Sequence, residues 1–360
     1  MGDRVNHIKK LATATAAPFS TPDQPADFPD GPRLLAHVGS THARLALEAA
    51  PGRVSHVQVL PCLAYPTLAA ALRAYLSQAE VAAAAPVVRH GAIAIARPVI
   101  GDVVRMTDLH WEFSIAGLRD ECGFDVLAVV DDFAALALAL PHLEDRKRQV
   151  GGGCAVPDTP QGLIRADTGL RVSGLIPTAA GWTALPSEGG HASFSPVNHT
   201  EIAILRFARR EFGDVSAERL MSGPGIELVY RALADLRGVP AEPLSVADIM
   251  QRALRGSCLL CDETMEAFCG MLGTVAGNLA VTLGARGGVY LGGGIVSKLG
   301  ERFDRSSFRA RFEKKGRFER YLGAIPTYVI TADHPAFAGL SAILAERLNA
   351  RVGKPPAPLV

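Results

Sequence analysis

An apolar run from Val126 to Val130 is stopped by Asp131-Asp132, and after Phe133 it gives way to the alanine- and leucine-rich stretch Ala134 to Leu140. A short apolar run bounded by charge predicts a buried strand, and the helix formers after it predict a helix. Both carboxylates then stand at a strand's carboxyl edge, where open α/β sheets bind their ligands. Asp132 in that position suits two roles equally, the N-cap of the helix or the acceptor of a proton from a substrate hydroxyl.

The same patterning organises the rest of the chain. Leu34 to Val38, a turn at Gly39 to His42, and Ala43 to Leu47 form a β-hairpin. Tyr65 to Leu76 reads as a helix and Val87 to Pro98 as a strand. A second hairpin repeats the first: Gly162 to Ala166, the turn Asp167-Thr168-Gly169, then Leu170 to Ile176. Thr41 with Arg44 matches Thr168 with Arg171, which points to a duplicated fold whose two turns face a common ligand. Beyond Thr200 helices dominate, Glu201 to Glu211 and Met265 to Leu283 being the clearest. A strand at Val289 to Leu291 then runs into Gly292-Gly293-Gly294. That glycine run serves either close approach of backbone to a ligand or a tight strand-to-helix turn.

With 360 residues and 48% hydrophobic content the chain can bury a large core in one to three domains. A formal net charge of +1, with basic clusters no longer than Arg146 to Arg148 and Lys314 to Arg317, gives no footprint for nucleic acid. No uninterrupted apolar stretch reaches the roughly 18 residues that cross a bilayer, and the N-terminus lacks a secretory pattern, so the expectation is a cytoplasmic protein with no membrane partner. Met1 to about Pro32 is aperiodic and reads as a mobile tail. Six cysteines in such a chain make no disulfide framework. Cys258 and Cys261 form a CxxC without a fourth ligand at zinc spacing, and read as structural or inert thiols.

Several segments together resemble the bacterial ATP-dependent glucokinase family: Ala43 to Leu47, Val130 to Phe133, Leu185 to His191, Val215 to Gly225, Gly292 to Val296 and Phe312 to Phe318. The resemblance runs from Arg33 to Leu348. It implies an α/β fold of the actin-like, hexokinase-like ATPase class, with a cleft between a small and a larger domain. By the same resemblance residues 32–142 form the small domain, joined by a returning C-terminal helix at 339–348; residues 143–338 form the large domain, and 1–31 a disordered tail. It further implies glucose and ATP as substrates, Mg²⁺ with the nucleotide, and a homodimer. The family's sugar site corresponds here to Asp131, Asp132, Glu188, His191 and Glu218, with Asp132 as the catalytic base. Carboxylates and an imidazole suit a hexose, whose hydroxyls take charge-assisted hydrogen bonds in several directions. Phosphate-binding positions correspond to Gly39, Ser40, Thr41 and His42 in the first turn, Thr168 and Gly169 in the second, and Gly293 and Gly294. No metal ligand is assigned.

Departures from the family pattern gather at the ligand. Asp131 replaces an Asn, and two adjacent carboxylates are expected to raise the pKa of one of them. In the first turn His37 replaces an Asp, a poor exchange for Mg²⁺, and Ser40 adds a Cβ where positive φ or close approach is expected. His42 replaces an Asn. In the second, Arg165, Asp167 and Arg171 stand where the family has glycine; the arginines are candidates for phosphate contact, and Asp167 for the carboxylate lost at His37. Ser187 also replaces a glycine. Two readings follow: a glucokinase that makes glucose 6-phosphate for glycolysis, or a catalytically impaired paralogue that binds hexose as a sensor.

Overall fold

Two sheets built on one plan carry the chain, whose computed structural model describes residues 26–353 except 107, 108 and 180. In the first, β1 (Arg33–Val38), β2 (His42–Ala50) and β3 (Arg53–Pro61) form an antiparallel meander, and β4 (His90–Ile95) pairs parallel with β1. After a small hairpin of β5 (Val103–Arg105) and β6 (Glu112–Ser114), β7 (Val126–Asp131) joins parallel to β4, giving the order β3-β2-β1-β4-β7. The second sheet repeats this with the meander β9 (Gln161–Ala166), β10 (Leu170–Thr178) and β11 (Gly181–Ala184), followed by the parallel strands β12 (Val289–Gly292) and β13 (Thr327–Ile330). An edge strand, β8 (Lys147–Val150), closes it in the order β11-β10-β9-β12-β13-β8. The hairpin repeat seen in the sequence is thus one part of a repeated five-strand arrangement.

Both faces of the first sheet are covered, which is why its central strands read as continuous apolar runs. Leu34, Ala36 and Val38 face the helix Leu68–Leu76 and Trp111, while Leu35, Ala92 and Ala94 face Phe337, Leu340 and Leu344 of the C-terminal helix Ala336–Gly353. The helix Asp132–Ala139 is apolar on every side because it is wedged between the sheets. Ala135 packs with the first sheet, whereas Phe133 and Leu136 pack with Leu163, Leu175 and Tyr290 of the second. In the larger core the helix Leu259–Leu283 runs among its neighbours. Among the described residues it alone is long and apolar enough to cross a membrane, and half of it is buried inside the protein.

Local details differ from the sequence expectations for definite reasons. Residues 1–25 of the expected tail lie outside the described residues, but its last part is docked. Phe28 N–H donates to the Ala49 carbonyl at 2.8 Å, the Arg33 guanidinium lies 3.5 Å over the Phe28 ring, and Asp30 pairs with His90 at 2.9 Å. The helix expected from Tyr65 starts at Leu68, because Thr67 caps it by accepting from Ala70 N–H at 3.1 Å. β3 escaped the sequence reading, since its mix of Arg53, Ser55, His56 and Gln58 with exposed Val57 and Val59 belongs to a sheet edge.

Candidate active site

At the carboxyl edge of β7 the two aspartates divide the roles that the sequence left open for one. Asp131 is the N-cap of the helix Asp132–Ala139: its Oδ1 accepts from the N–H groups of Phe133 at 2.9 Å and Ala134 at 3.0 Å. An aspartate does this as well as an asparagine would, so the cap needs nothing else at this position. Asp132 is therefore released from capping. It is only 3% exposed, and its carboxylate is turned toward the second sheet.

Basic groups from both hairpins meet it there. Cross-strand register places His37 opposite Arg44 in the first hairpin and Arg165 opposite Arg171 in the second. Arg171 donates from Nη1 to Asp132 Oδ1 at 2.6 Å and from Nη2 to both oxygens of Asp131 at 3.0 Å. Arg165 Nη1 donates to the other oxygen of Asp132 at 2.9 Å, and His37 Nε2 lies 3.6 Å from that same oxygen. The Arg171 guanidinium also rests 4.6 Å over the Phe133 ring, a favourable cation–π contact. All four carboxylate oxygens are thereby engaged, and the two sheets are joined across the cleft by a charge-assisted clamp.

These contacts set the protonation states. Burial pushes Asp132 up, but contact with His37 and the charges of Arg165 and Arg171 outweigh it and hold the carboxyl below its ordinary value. Asp131 moves the other way. Burial raises it, Arg171 opposes this, and the neighbouring Asp132 charge adds a smaller upward push. One of the pair is raised, as the sequence led one to expect, but desolvation rather than like-charge repulsion is the leading cause.

The other sugar-site candidates lie along the far flank of the second hairpin. Glu218, on the short helix Ala217–Leu220, accepts from Leu170 N–H at 3.2 Å and stands 3.8 Å from His191 Nε2. Glu188 is exposed and receives the His191 N–H on its backbone carbonyl at 2.9 Å. Backbone bonds from Ala217 N to Ala192 O and from Gly223 N to Asp167 O, both 2.8 Å, tie these segments to the hairpin turn. Leu170 and Arg171, adjacent on β10, thus link Glu218 on one side to Asp131 and Asp132 on the other.

The turns that correspond to phosphate loops are shaped more by the protein's own backbone than by an anion cradle. In the first, Gly39 N–H donates to His42 O at 3.0 Å and the His42 ring pairs with the Thr41 hydroxyl at 3.0 Å. Ser40, Thr41 and His42 are exposed and border an open hollow of about 380 Å³ with Pro61, Leu63 and Leu109. Neither Ser40 nor Asp167 adopts positive φ, so the strain expected at Ser40 is absent. In the second turn Thr168 is exposed, and a Cβ on Gly169 would come within 2.8 Å of Glu218 Oε2. Gly293, at φ 101°, would drive a Cβ into the Ala166 carbonyl, and Gly294 lies beside Asp167. Of the two readings of the glycine run, a tight strand-to-helix turn against β9 accounts for Gly293 without a ligand.

This donor set does not fit a protein-held Mg²⁺. Asp131 and Asp132 are paired with guanidinium groups, and Asp167 lies 3.8 Å from Arg165, so the carboxylates facing the turns are already matched by cations. Asp167 is the least engaged of these carboxylates, 43% exposed with Arg165 as its cationic neighbour. Sequence reasoning offered Arg165 and Arg171 only as candidates for phosphate contact and missed their contact with the aspartates. The signal was available in part: the hairpin repeat pairs residue 37 with 44 and 165 with 171, placing each pair side by side on one face.

Comparison with known proteins agrees with this architecture. A family profile described as glucokinase matches residues 34–347. The bifunctional protein glk of Burkholderia pseudomallei (strain 1710b) is 56% identical over 327 residues, which are 90% of this chain and 50% of that protein. The glucokinase of Chromobacterium violaceum is 51% identical over 329 residues, 91% of this chain and 93% of that protein. The chain thus spans about half the length of the Burkholderia relatives it matches. Among solved structures, a glucokinase from an Antarctic psychrotroph superposes with a TM-score of 0.82 at 34% identity, covering 87% of this chain and 98% of that one. A ROK-family glucokinase from Streptomyces griseus, solved with glucose and AMPPNP, shares the fold at a TM-score of 0.56 and 16% identity, covering 88% and 100%. The fold is that of the actin-like ATPase class of sugar kinases.

Proposed function

This chain belongs to the glucokinase family, and we propose that it transfers the γ-phosphoryl group of ATP to the primary hydroxyl of glucose, giving glucose 6-phosphate and ADP. The observation that supports this reading is the buried, ionised Asp132, freed from capping by Asp131 and placed at a strand's carboxyl edge beside the sugar-site segments. Asp132 takes the proton of the primary hydroxyl as that oxygen attacks the γ-phosphorus; the new P–O bond forms as the bridging P–O bond to ADP breaks. Asp131, Glu188, His191 and Glu218 hold the remaining hydroxyls and orient the sugar. Gly39 to His42, Thr168, Gly169 and Gly294 border the nucleotide phosphates.

The clamp adds a requirement of its own. Each oxygen of Asp132 already accepts from a guanidinium, so a sugar hydroxyl that comes to Asp132 shares or displaces the Arg165 and Arg171 contacts, and sugar binding competes with whichever it displaces. Once displaced, those two cations stand next to the attacking oxygen, where positive charge favours the transferring phosphoryl group. Mg²⁺ accompanies ATP as part of the substrate, and no step here depends on a protein ligand to it.

A coupled assay for glucose 6-phosphate, with millimolar ATP and Mg²⁺ and a parallel glucose titration, tests the reading. Turnover is expected, and Asp132→Asn should lower it by about 10²–10⁴-fold while leaving glucose binding measurable. Turnover unaffected by that substitution would remove Asp132 from the mechanism, and absence of both glucose binding and turnover would overturn the function.

A further inference from the structure

Away from the cleft, the long helix Leu259–Leu283 begins at a pair of thiols. Cys258 is its N-cap, and the Cys258 Sγ folds over the first turn to accept from the Cys261 N–H at 3.4 Å. The two residues differ in access: Cys258 is partly exposed, whereas Cys261 is fully buried beneath it. We propose that Cys258 and Cys261 form a peroxide-responsive dithiol, in which Cys258 is the attacking thiolate and Cys261 the resolving thiol.

Two features favour this assignment over two inert thiols. The i, i+3 spacing across a helix start sets the two thiols on the same turn, and the 3.4 Å contact brings the Cys258 sulfur up against Cys261 itself. The local charges also separate the two. Burial disfavours the Cys258 thiolate, but the N–H and thiol of Cys261, the Leu260 N–H and the Arg252 charge more than offset it and bring the pKa below the ordinary thiol value. Burial, followed by the contact with Cys258, pushes Cys261 up to about 12, so it keeps its proton until the second step.

The chemistry balances with hydrogen peroxide as the oxidant. Cys258 thiolate attacks one peroxide oxygen; an S–O bond forms, the O–O bond breaks, and the departing hydroxide is protonated to water. Cys261 then loses its proton and attacks the Cys258 sulfur, so the S–S bond forms as the S–O bond breaks and a second water leaves. Two thiols give up two electrons and two protons to one peroxide.

Graded peroxide on the 360-residue protein, with alkylation of free thiols before and after reduction and peptide mass spectrometry, tests the proposal. Exposed Cys154 is the internal reference, since it lies on a loop. Trypsin releases residues 256–286, which contain Cys258, Cys261 and Cys269, and cleavage after Glu266 separates Cys269 from the pair. The expected result is a loss of two hydrogens in the fragment holding Cys258 and Cys261, at a peroxide concentration that leaves Cys154 reduced. In Cys261→Ser, oxidation should stop at a sulfenic acid on Cys258 that a dimedone probe traps. Cys258→Ser keeps a hydroxyl cap and should form no link. Should a variant fail to fold, the order of alkylation rates in the unaltered protein decides, with Cys258 expected ahead of Cys154 and its half-maximal rate at a pH below the ordinary value of about 8.5. Faster reaction at Cys154, or a link that omits either cysteine of the pair, overturns the proposal.

Discussion

The residue with the greatest leverage is Arg171. One guanidinium contacts three carboxylate oxygens and lies on an aromatic ring, so it both neutralises and obstructs the base that sugar must reach. Arg171→Gly removes the obstruction while Arg165 still pairs with Asp132. The expected outcome is a fall of about tenfold in KM for glucose, near the 1.4 kcal/mol that one net charge-assisted contact contributes, with kcat changed less; steady-state kinetics measures both. An unchanged KM would mean that Arg171 does not compete with sugar for Asp132, and a fall in kcat alone would leave it only the role of favouring phosphoryl transfer. Reverting His37→Asp together with Asp167→Gly addresses the turns in the same assay, and higher activity is expected. The lowered pKa of Asp132 also carries a sign for stability. A carboxyl whose folded value lies below its unfolded value of about 3.9 stabilises the fold above that value, and the contribution is lost as pH falls through the folded value. Denaturant titrations between about pH 2 and 5 should show stability falling less steeply with acid in Asp132→Asn than in the unaltered protein.

At the scale of elements, the site depends on backbone that approaches backbone. Gly293 shows this most directly, because it has positive φ and its position is closed by the Ala166 carbonyl of β9. Gly293→Ala therefore meets strain and a clash together. A loss of at least about 1–3 kcal/mol is expected, seen as a lower thermal midpoint with or without nucleotide. Unchanged stability with weakened ATP binding would return this glycine to a ligand role. The helix Asp132–Ala139 illustrates what was legible and what was not. Its apolar run announced a buried helix, and the preceding run announced a buried strand. Which aspartate caps it was not legible, because both satisfy the composition rule for an N-cap. Only the observed bonds from Phe133 and Ala134 to Asp131 decide the matter.

Over the whole molecule, the C-terminal helix Ala336–Gly353 returns to the first sheet, with Phe337, Leu340 and Leu344 buried against strands some two hundred residues or more earlier. Leu340→Ala should cost about 2–5 kcal/mol, checked by denaturant unfolding, and a cost near zero would mean that the helix is not needed to cover that face. The sequence by itself determined much: the two hairpins, the apolar strands that end in charge, and the family. These are local patterns of period and residue type, or ordered motifs, and both are written along the chain. Only the tertiary structure decided that Arg165, Arg171 and His37 converge on Asp132. Those residues are separated from it by 33, 39 and 95 positions, and their meeting depends on how two sheets pack around one wedged helix. Charge complementarity can be read from a sequence, but which opposite charges become neighbours is set by packing.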